Sequence, residues 1–220
     1  MPDPQHVAIV GLGPSAHAYI DTVEAHGGRH AFCDETWVIN SYGDVLAHDR
    51  VFHMDDVRVT LDDPDPKIQA MIRWLRTHPG PVYTSRPHVE FPGMVAYPLE
   101  DVLNSVGAAY FNNSVAYAVA FALFLKVKKI SLYGCDYAWV KDGHEGRGRA
   151  CVEFWLGVAA ASGVNVHVSK ISTLMDANAP ERKFYGYEAT HLRVEQVEDR
   201  LKVTMTPRTA VKATLDLESR

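Results

Sequence analysis

Several short stretches of the chain combine residue types that can hold a phosphate, a sugar or a base. The first is Gly11-Leu-Gly-Pro-Ser15, directly after the β-branched run 6–10. Two glycines let a backbone approach a phosphate or ribose closely, and a helix start behind them favours an anion. The full dinucleotide fingerprint would need a third glycine where His17 stands. Gly11, Gly13, Pro14 and Ser15 therefore suit either a nucleotide or a merely tight turn. Asn40 ends the apolar run 35–40. Its carboxamide can bond a base, a ribose or a sugar hydroxyl, and Asn also forms turns at strand ends. Asn112-Asn-Ser114 precedes an Ala-rich apolar segment, where small polar groups either cap a helix or bind an anion. Gly134 and Asp136, followed by Tyr137, come after the run 128–133, and a glycine beside an acid at a strand end suits a ribose or a metal. The Gly-rich run 141–149 carries His144, Arg147 and Arg149. A histidine, with its ordinary pKa of about 6.5, can take a proton from a substrate hydroxyl. The two arginines can neutralise a phosphate or a sugar carboxylate, and solvated loop charges would look the same.

Two acidic clusters offer a metal reading, but no metal site is expected. Asp63-Pro-Asp65 mimics an Asp-x-Asp motif, yet it stands in a breaker-rich stretch before a helical pattern, where acids cap. His53, Asp55 and Asp56 form a similar cluster. The chain has no Gx4GK[ST] and no Gly-x-Ser-x-Gly, which argues against a Walker-type NTPase and an α/β-hydrolase.

These residues need elements to position them. Short apolar runs at 6–10, 35–40, 50–54, 81–84, 128–133 and 164–168 predict strands. Helical spacing predicts helices from Ser15, as N-cap, to about 25, and over 67–78, 115–126 and 150–162. Residues 85–103, rich in Pro and Gly, read as a long loop. Strand, helix, strand in succession implies an α/β, Rossmann-like fold: a mostly parallel sheet with helices on both faces. In such sheets ligands gather at the carboxyl ends of the strands, where the strand order switches. Residues 1–188 read as the nucleotide-binding domain, where Tyr185 and Tyr187 would close the core or stack on a ligand. Residues 189–220 turn charged and read as an arm or helix used between copies of a homo-oligomer.

The 220 residues, 47% hydrophobic and 10% aromatic, can build one real core, and a net charge of −5 gives no reason to grip nucleic acid. Cys33, Cys135 and Cys151 are scattered and read as free buried thiols. The polar N-terminus shows no secretory signal, and the longest apolar stretch, 115–127, falls short of the roughly 20 residues of a membrane span. A cytoplasmic location is expected.

Taken in order, the stretches resemble a known arrangement. Val7-Ala-Ile-Val-Gly-Leu-Gly-Pro-Ser15 resembles the GNGPS opening of the small bacterial sialyltransferases with a Rossmann-like sheet, and of the related 6-hydroxymethylpterin pyrophosphokinase-like family. Both carry a strand ending in Asn, here Val38-Ile-Asn40, and a small polar triplet opening an apolar helix, here Asn112-Asn-Ser114. Both then show KEIxLxGxD, here Lys129-Ile-Ser-Leu-Tyr-Gly-Cys-Asp136. A Gly-His pair precedes a helix with Glu-Phe in the sialyltransferases, as do Gly143-His144 and Glu153-Phe154 here. The likeness spans about residues 6–176. The sequence departs from it at Leu12, which stands where the family has Asn, at the Asn-Asn-Ser triplet, and in a shorter interval from His144 to Glu153. The general look is also that of phage-encoded proteins.

The resemblance implies a nucleotide across the carboxyl edge of the sheet. Gly11, Gly13, Pro14, Ser15 and Asn40 would touch the nucleotide or its phosphate. Asn112, Asn113 and Ser114 would hold the cytidine or donor sugar, with Gly134, Asp136 and Tyr137 beneath. His144 would deprotonate an acceptor hydroxyl on a glycan or modified base, and Arg147 and Arg149 would meet phosphate or carboxylate. A CMP- or UDP-type sugar donor would be the substrate, with no tightly bound cofactor. Two other readings stay open: a Mg-dependent pyrophosphokinase using ATP on a pterin-like alcohol, with Asp136 and Asp55 or Asp56 on the metal, and a non-catalytic nucleotide-binding protein.

Overall fold

Val7, Ala8, Ile9 and Val10 send apolar side chains to both sides of one strand, so both faces of its sheet must be covered. The computed structural model, which describes residues 3–137, 143–178, 185–187, 190–198 and 200–207, and their side chains except at 143–145 and 196, meets that requirement. The chain divides into two compact units, Met1–Asn178 and Ala179–Arg220.

The first unit holds strands β1 (His6–Val10), β2 (Glu35–Ile39), β3 (Arg50–Phe52), β4 (Val82–Thr84), β5 (Met94–Ala96), β6 (Lys129–Tyr133) and β7 (Asn165–Val168). They form one sheet in the order β5-β4-β3-β2-β1-β6-β7, and every pairing is parallel. The helices are α1 (His17–Ala25), α2 (Arg29–Phe32), α3 (Pro66–Thr77), α4 (Leu99–Val106), α5 (Ser114–Phe124) and α6 (Gly143–Ala161). Alternation along the strands sorts the core. Val7, Ile9, Trp37, Ile39 and Phe52 pack with Val102 of α4, Val119 of α5 and Trp155 of α6. Their neighbours Ala8 and Val10 pack with Tyr19 of α1, and Val38 and Val51 with Ile72 and Leu75 of α3. Helices thus cover both faces, as the sequence predicts. β1 lies between β2 and β6, so the strand order reverses there and sets the switch point between β1 and β6.

Local chemistry fixes where the elements start. Asp65 caps α3 by accepting from the Lys67 N–H at 2.8 Å, with Pro66 next, and Asp63 accepts from the Asp65 N–H at 2.9 Å. That is the capping role of these acids. Asn113 caps α5, its Oδ1 accepting from the Ala116 N–H at 2.9 Å. All three cysteines are free and buried. Among the described residues no helix is long and apolar enough to cross a membrane.

The structure departs from the sequence-based expectation in five places. The supposed loop 85–103 contains β5 and the start of α4, whose Leu99, Val102, Leu103 and Val106 have helical spacing. Helix α6 begins at Gly143 rather than 150, so His144, Arg147 and Arg149 lie on its first turns and not in a loop. Ser15 does not cap a helix: it lies inside a short 3₁₀ turn, Pro14–Ala16, with its side chain turned to Asp136. The second unit contains an antiparallel hairpin, β8 (Thr190–Val197) with β9 (Arg200–Pro207), where an arm or helix was expected. Tyr185 and Tyr187, expected in a core, are exposed.

Candidate functional site

Two turns leave the sheet on either side of the switch point and lie against each other. The Gly11 N–H donates to the Tyr133 carbonyl at 2.8 Å, and the Gly13 N–H to the Gly134 carbonyl at 2.7 Å. A Cβ on Gly11 would stand 2.4 Å from the Gly134 oxygen, and one on Gly134 would stand 2.3 Å from the Gly11 oxygen. Gly134 also has a φ of 62°, which disfavours any side chain. The contact between the turns therefore requires both glycines.

Ser15 and Asp136 lock this seam. The Ser15 N–H donates to Asp136 Oδ2 at 2.6 Å, the Ser15 hydroxyl donates to Asp136 Oδ1 at 2.8 Å, and the Gly134 N–H donates to Ser15 Oγ at 2.7 Å. Ser15 is buried, and its one hydroxyl proton is committed to Asp136. Cys135, between these residues, is no nucleophile. Burial, with the Asp136 charge adding, pushes its thiol up to about 12. Leu12 stands exposed at the tip of the first turn, beside exposed Pro14. Tyr137 exchanges bonds with Thr173: its N–H donates to Oγ1 at 2.9 Å, and the hydroxyl donates back to the Tyr137 carbonyl at 2.8 Å.

The next stretch of the edge, at the ends of β2 and β3 and the start of α5, is organised differently. Asn40 follows β2 with a φ of 51°, a left-handed conformation that Asn tolerates. Its Oδ1 lies 3.2 Å from His53 Nδ1 and 3.5 Å from Ser114 Oγ. Ser114 Oγ also accepts from the Met54 N–H at 3.3 Å. An amide oxygen only accepts, so with Oδ1 on this side the His53 proton sits on Nδ1. His53 is 1% exposed, and its Nε2 is buried with no hydrogen-bond partner among the described residues. Burial holds this imidazole below its ordinary range, against the opposing pull of Asp55.

A third group ties α5 to α6. Asn112 Nδ2 donates to the Arg147 carbonyl at 2.8 Å, and Asn113 Nδ2 donates to the Gly148 carbonyl at 3.0 Å. Gly148 leaves room for the Tyr137 ring, since a Cβ there would stand 2.8 Å from a ring carbon. Arg149 reaches Glu153 at 2.8 Å and Asp176 at 2.7 Å, so its charge is already met by two carboxylates. Arg147 is exposed on the same turns. The backbone of His144 belongs to the first turn of α6, and its side chain lies outside the described residues.

No family model matches the chain, and no curated protein matches it. Among solved structures it is similar to the sialyltransferase CstII from Campylobacter jejuni in complex with the substrate analogue CMP-3FNeuAc, with a TM-score of 0.47 and 16% identity over 78% of this chain and 83% of that one. It is also similar to CstII with cytidine-5′-monophosphate, with a TM-score of 0.36 and 13% identity over the same shares. Both likenesses are of fold alone.

The residues singled out from sequence fall into three groups on the carboxyl edge. Gly11, Gly13, Ser15, Gly134 and Asp136 meet at the β1–β6 seam. Asn40 and Ser114 meet at the β2–β3 end, and Asn112 and Asn113 meet the start of α6. Sequence reasoning considered His53 only as part of a metal cluster. Among the described residues no group of three His, Cys, Asp or Glu side chains converges on a metal position, and Asp56 pairs instead with Arg58. The signal for His53 was its place: the first residue after an apolar strand.

Proposed function

We propose that the carboxyl edge binds a nucleotide-sugar donor, and that the protein is a glycosyltransferase with His144 as general base. One observation carries this reading: stretches far apart in sequence, at 11–15, 40, 112–114 and 134–136, converge on one edge of the sheet. There the β1–β6 seam has its polar groups engaged, while at the β2–β3 end the buried His53 Nε2 has no partner among the described residues. The seam would act through its shape and its exposed Leu12 and Pro14. Asn40 and Ser114 would meet the nucleoside, and Arg147 would lend charge to the phosphate. The acceptor oxygen would attack the anomeric carbon as the bond to the nucleotide phosphate breaks. His144 would take the acceptor proton, and the nucleotide would leave with the bonding pair. Positioning and charge placement would supply most of the rate.

The test is a thermal-shift series with CMP, CDP, UDP, GDP, ADP and ATP, with and without Mg²⁺, followed by donor turnover in His144→Ala. A ligand that binds the native state alone raises the melting temperature. The expected result is a metal-independent shift with a pyrimidine nucleotide. His144→Ala should keep that shift and lose turnover by about 10²-fold or more. A shift confined to ATP with Mg²⁺, or unchanged turnover in the variant, would overturn the reading.

A further inference from the structure

Two atoms at the β2–β3 end that have no partner among the described residues, His53 Nε2 and the Asn40 amide nitrogen, constrain what the site can accept. Asn40 Oδ1 faces two groups, His53 Nδ1 and Ser114 Oγ. Ser114 accepts the Met54 N–H, so its own proton is available to Asn40. The Ser114 proton favours the oxygen end of the carboxamide on the inside, with the His53 proton on Nδ1. The reverse orientation would turn the amide protons toward His53 and move the histidine proton to Nε2. There it would be a buried donor with no acceptor among the described residues, an arrangement that folded proteins rarely keep. Among the described residues the Asn40 amide nitrogen has no hydrogen-bond partner, and Asn40 is partly exposed.

We infer that His53 and Ser114 act as positioning residues, locking the Asn40 carboxamide so that its NH₂ faces the ligand and the site takes an acceptor oxygen of the nucleotide there. The inference rests on the nucleotide reading of this edge and adds a polarity to it. Asn40 makes the contact, and His53 acts through Asn40. The left-handed backbone at Asn40 holds the side chain over the strand end, so rotation of the amide is the freedom left to control. Burial lowers the pKa of His53, against the pull of Asp55.

Two measurements test this. The first is the ¹⁵N spectrum of the histidine imidazoles in the ligand-free protein. His53 should show a protonated Nδ1 and a bare Nε2, and the opposite tautomer overturns the inference. The second is a titration of CMP and of UDP into wild type, His53→Asn and His53→Gln. An Asn side chain places a donor nitrogen as many bonds from the backbone as Nδ1, whereas Gln places its amide at the position of Nε2. His53→Asn should bind within about threefold of wild type and His53→Gln at least about tenfold more weakly, at about 1.4 kcal/mol for each tenfold step. A merely structural role would weaken both alike, and equal affinities for the two variants overturn the inference. Absence of saturable binding by wild type would instead overturn the nucleotide reading on which it rests.

Discussion

The β1–β6 seam and the β2–β3 end sit side by side on one edge of the sheet, and they are finished to different degrees. At the seam, Ser15, Asp136 and the Gly11 and Gly134 backbones bond one another, and two glycines lie closer than side chains would allow. At the β2–β3 end, His53 keeps a buried nitrogen without a partner among the described residues. The more recognisable motif is therefore the one whose polar groups the fold itself uses. The less recognisable residues hold the hydrogen-bonding capacity that a ligand could take up.

If the seam is structural, damage there should unfold the protein. Gly134→Ala puts a methyl group 2.3 Å from the Gly11 carbonyl oxygen at a φ of 62°. It should cost about 4 kcal/mol or more in urea unfolding, and an unchanged midpoint would break the comparison. Asp136→Ala removes the acceptor for the Ser15 N–H and hydroxyl. It should cost about 2–3 kcal/mol while leaving CMP affinity within about threefold at temperatures where the variant is folded. Asn113→Ala loses the cap of α5 and the bond to the Gly148 carbonyl. It should cost about 1–2 kcal/mol, read as a lower melting temperature with faster amide exchange in the first turns of α6.

The smallest effect is on pH dependence, and it reports on His53 at the β2–β3 end. Burial lowers the pKa of His53 in the folded protein, and burial with the neighbouring His48 lowers that of His78. The unfolded chain then binds more protons than the folded one below about pH 6.5, so stability is full above that value and falls as pH drops toward the folded-state pKa values. Melting temperature should decline from pH 7 to pH 5, and His53→Asn should flatten that decline. An equal slope in the variant would move the titration away from the β2–β3 end.

Much of the architecture was legible because it is written in local patterns. The runs at β1, β2 and β6 are short, apolar and bounded by turn residues, and α3 and α5 carry caps at Asp65 and Asn113. What was not legible depended on distant partners. Ser15 reads as a helix cap because its partner Asp136 is 121 residues away. Gly146 and Gly148 read as loop, yet α6 includes them, because Asn112 and Asn113 bond its carbonyls and the Tyr137 ring fills the space over Gly148. The hairpin did leave a signal. Leu192 pairs with Met205 and Val194 with Val203, an alternation that charge and the scarcity of aromatics obscured.

The central claim is that a nucleotide docks at the β2–β3 end of the carboxyl edge. Its most direct test is an amide ¹⁵N–¹H titration of the intact protein with CMP. Saturable shifts should concentrate at Asn40, Met54 and Ser114, with smaller ones along the Gly11–Gly13 turn. No saturable shift, or shifts confined to the amino-terminal edge around Asp34 and Arg50, would contradict it.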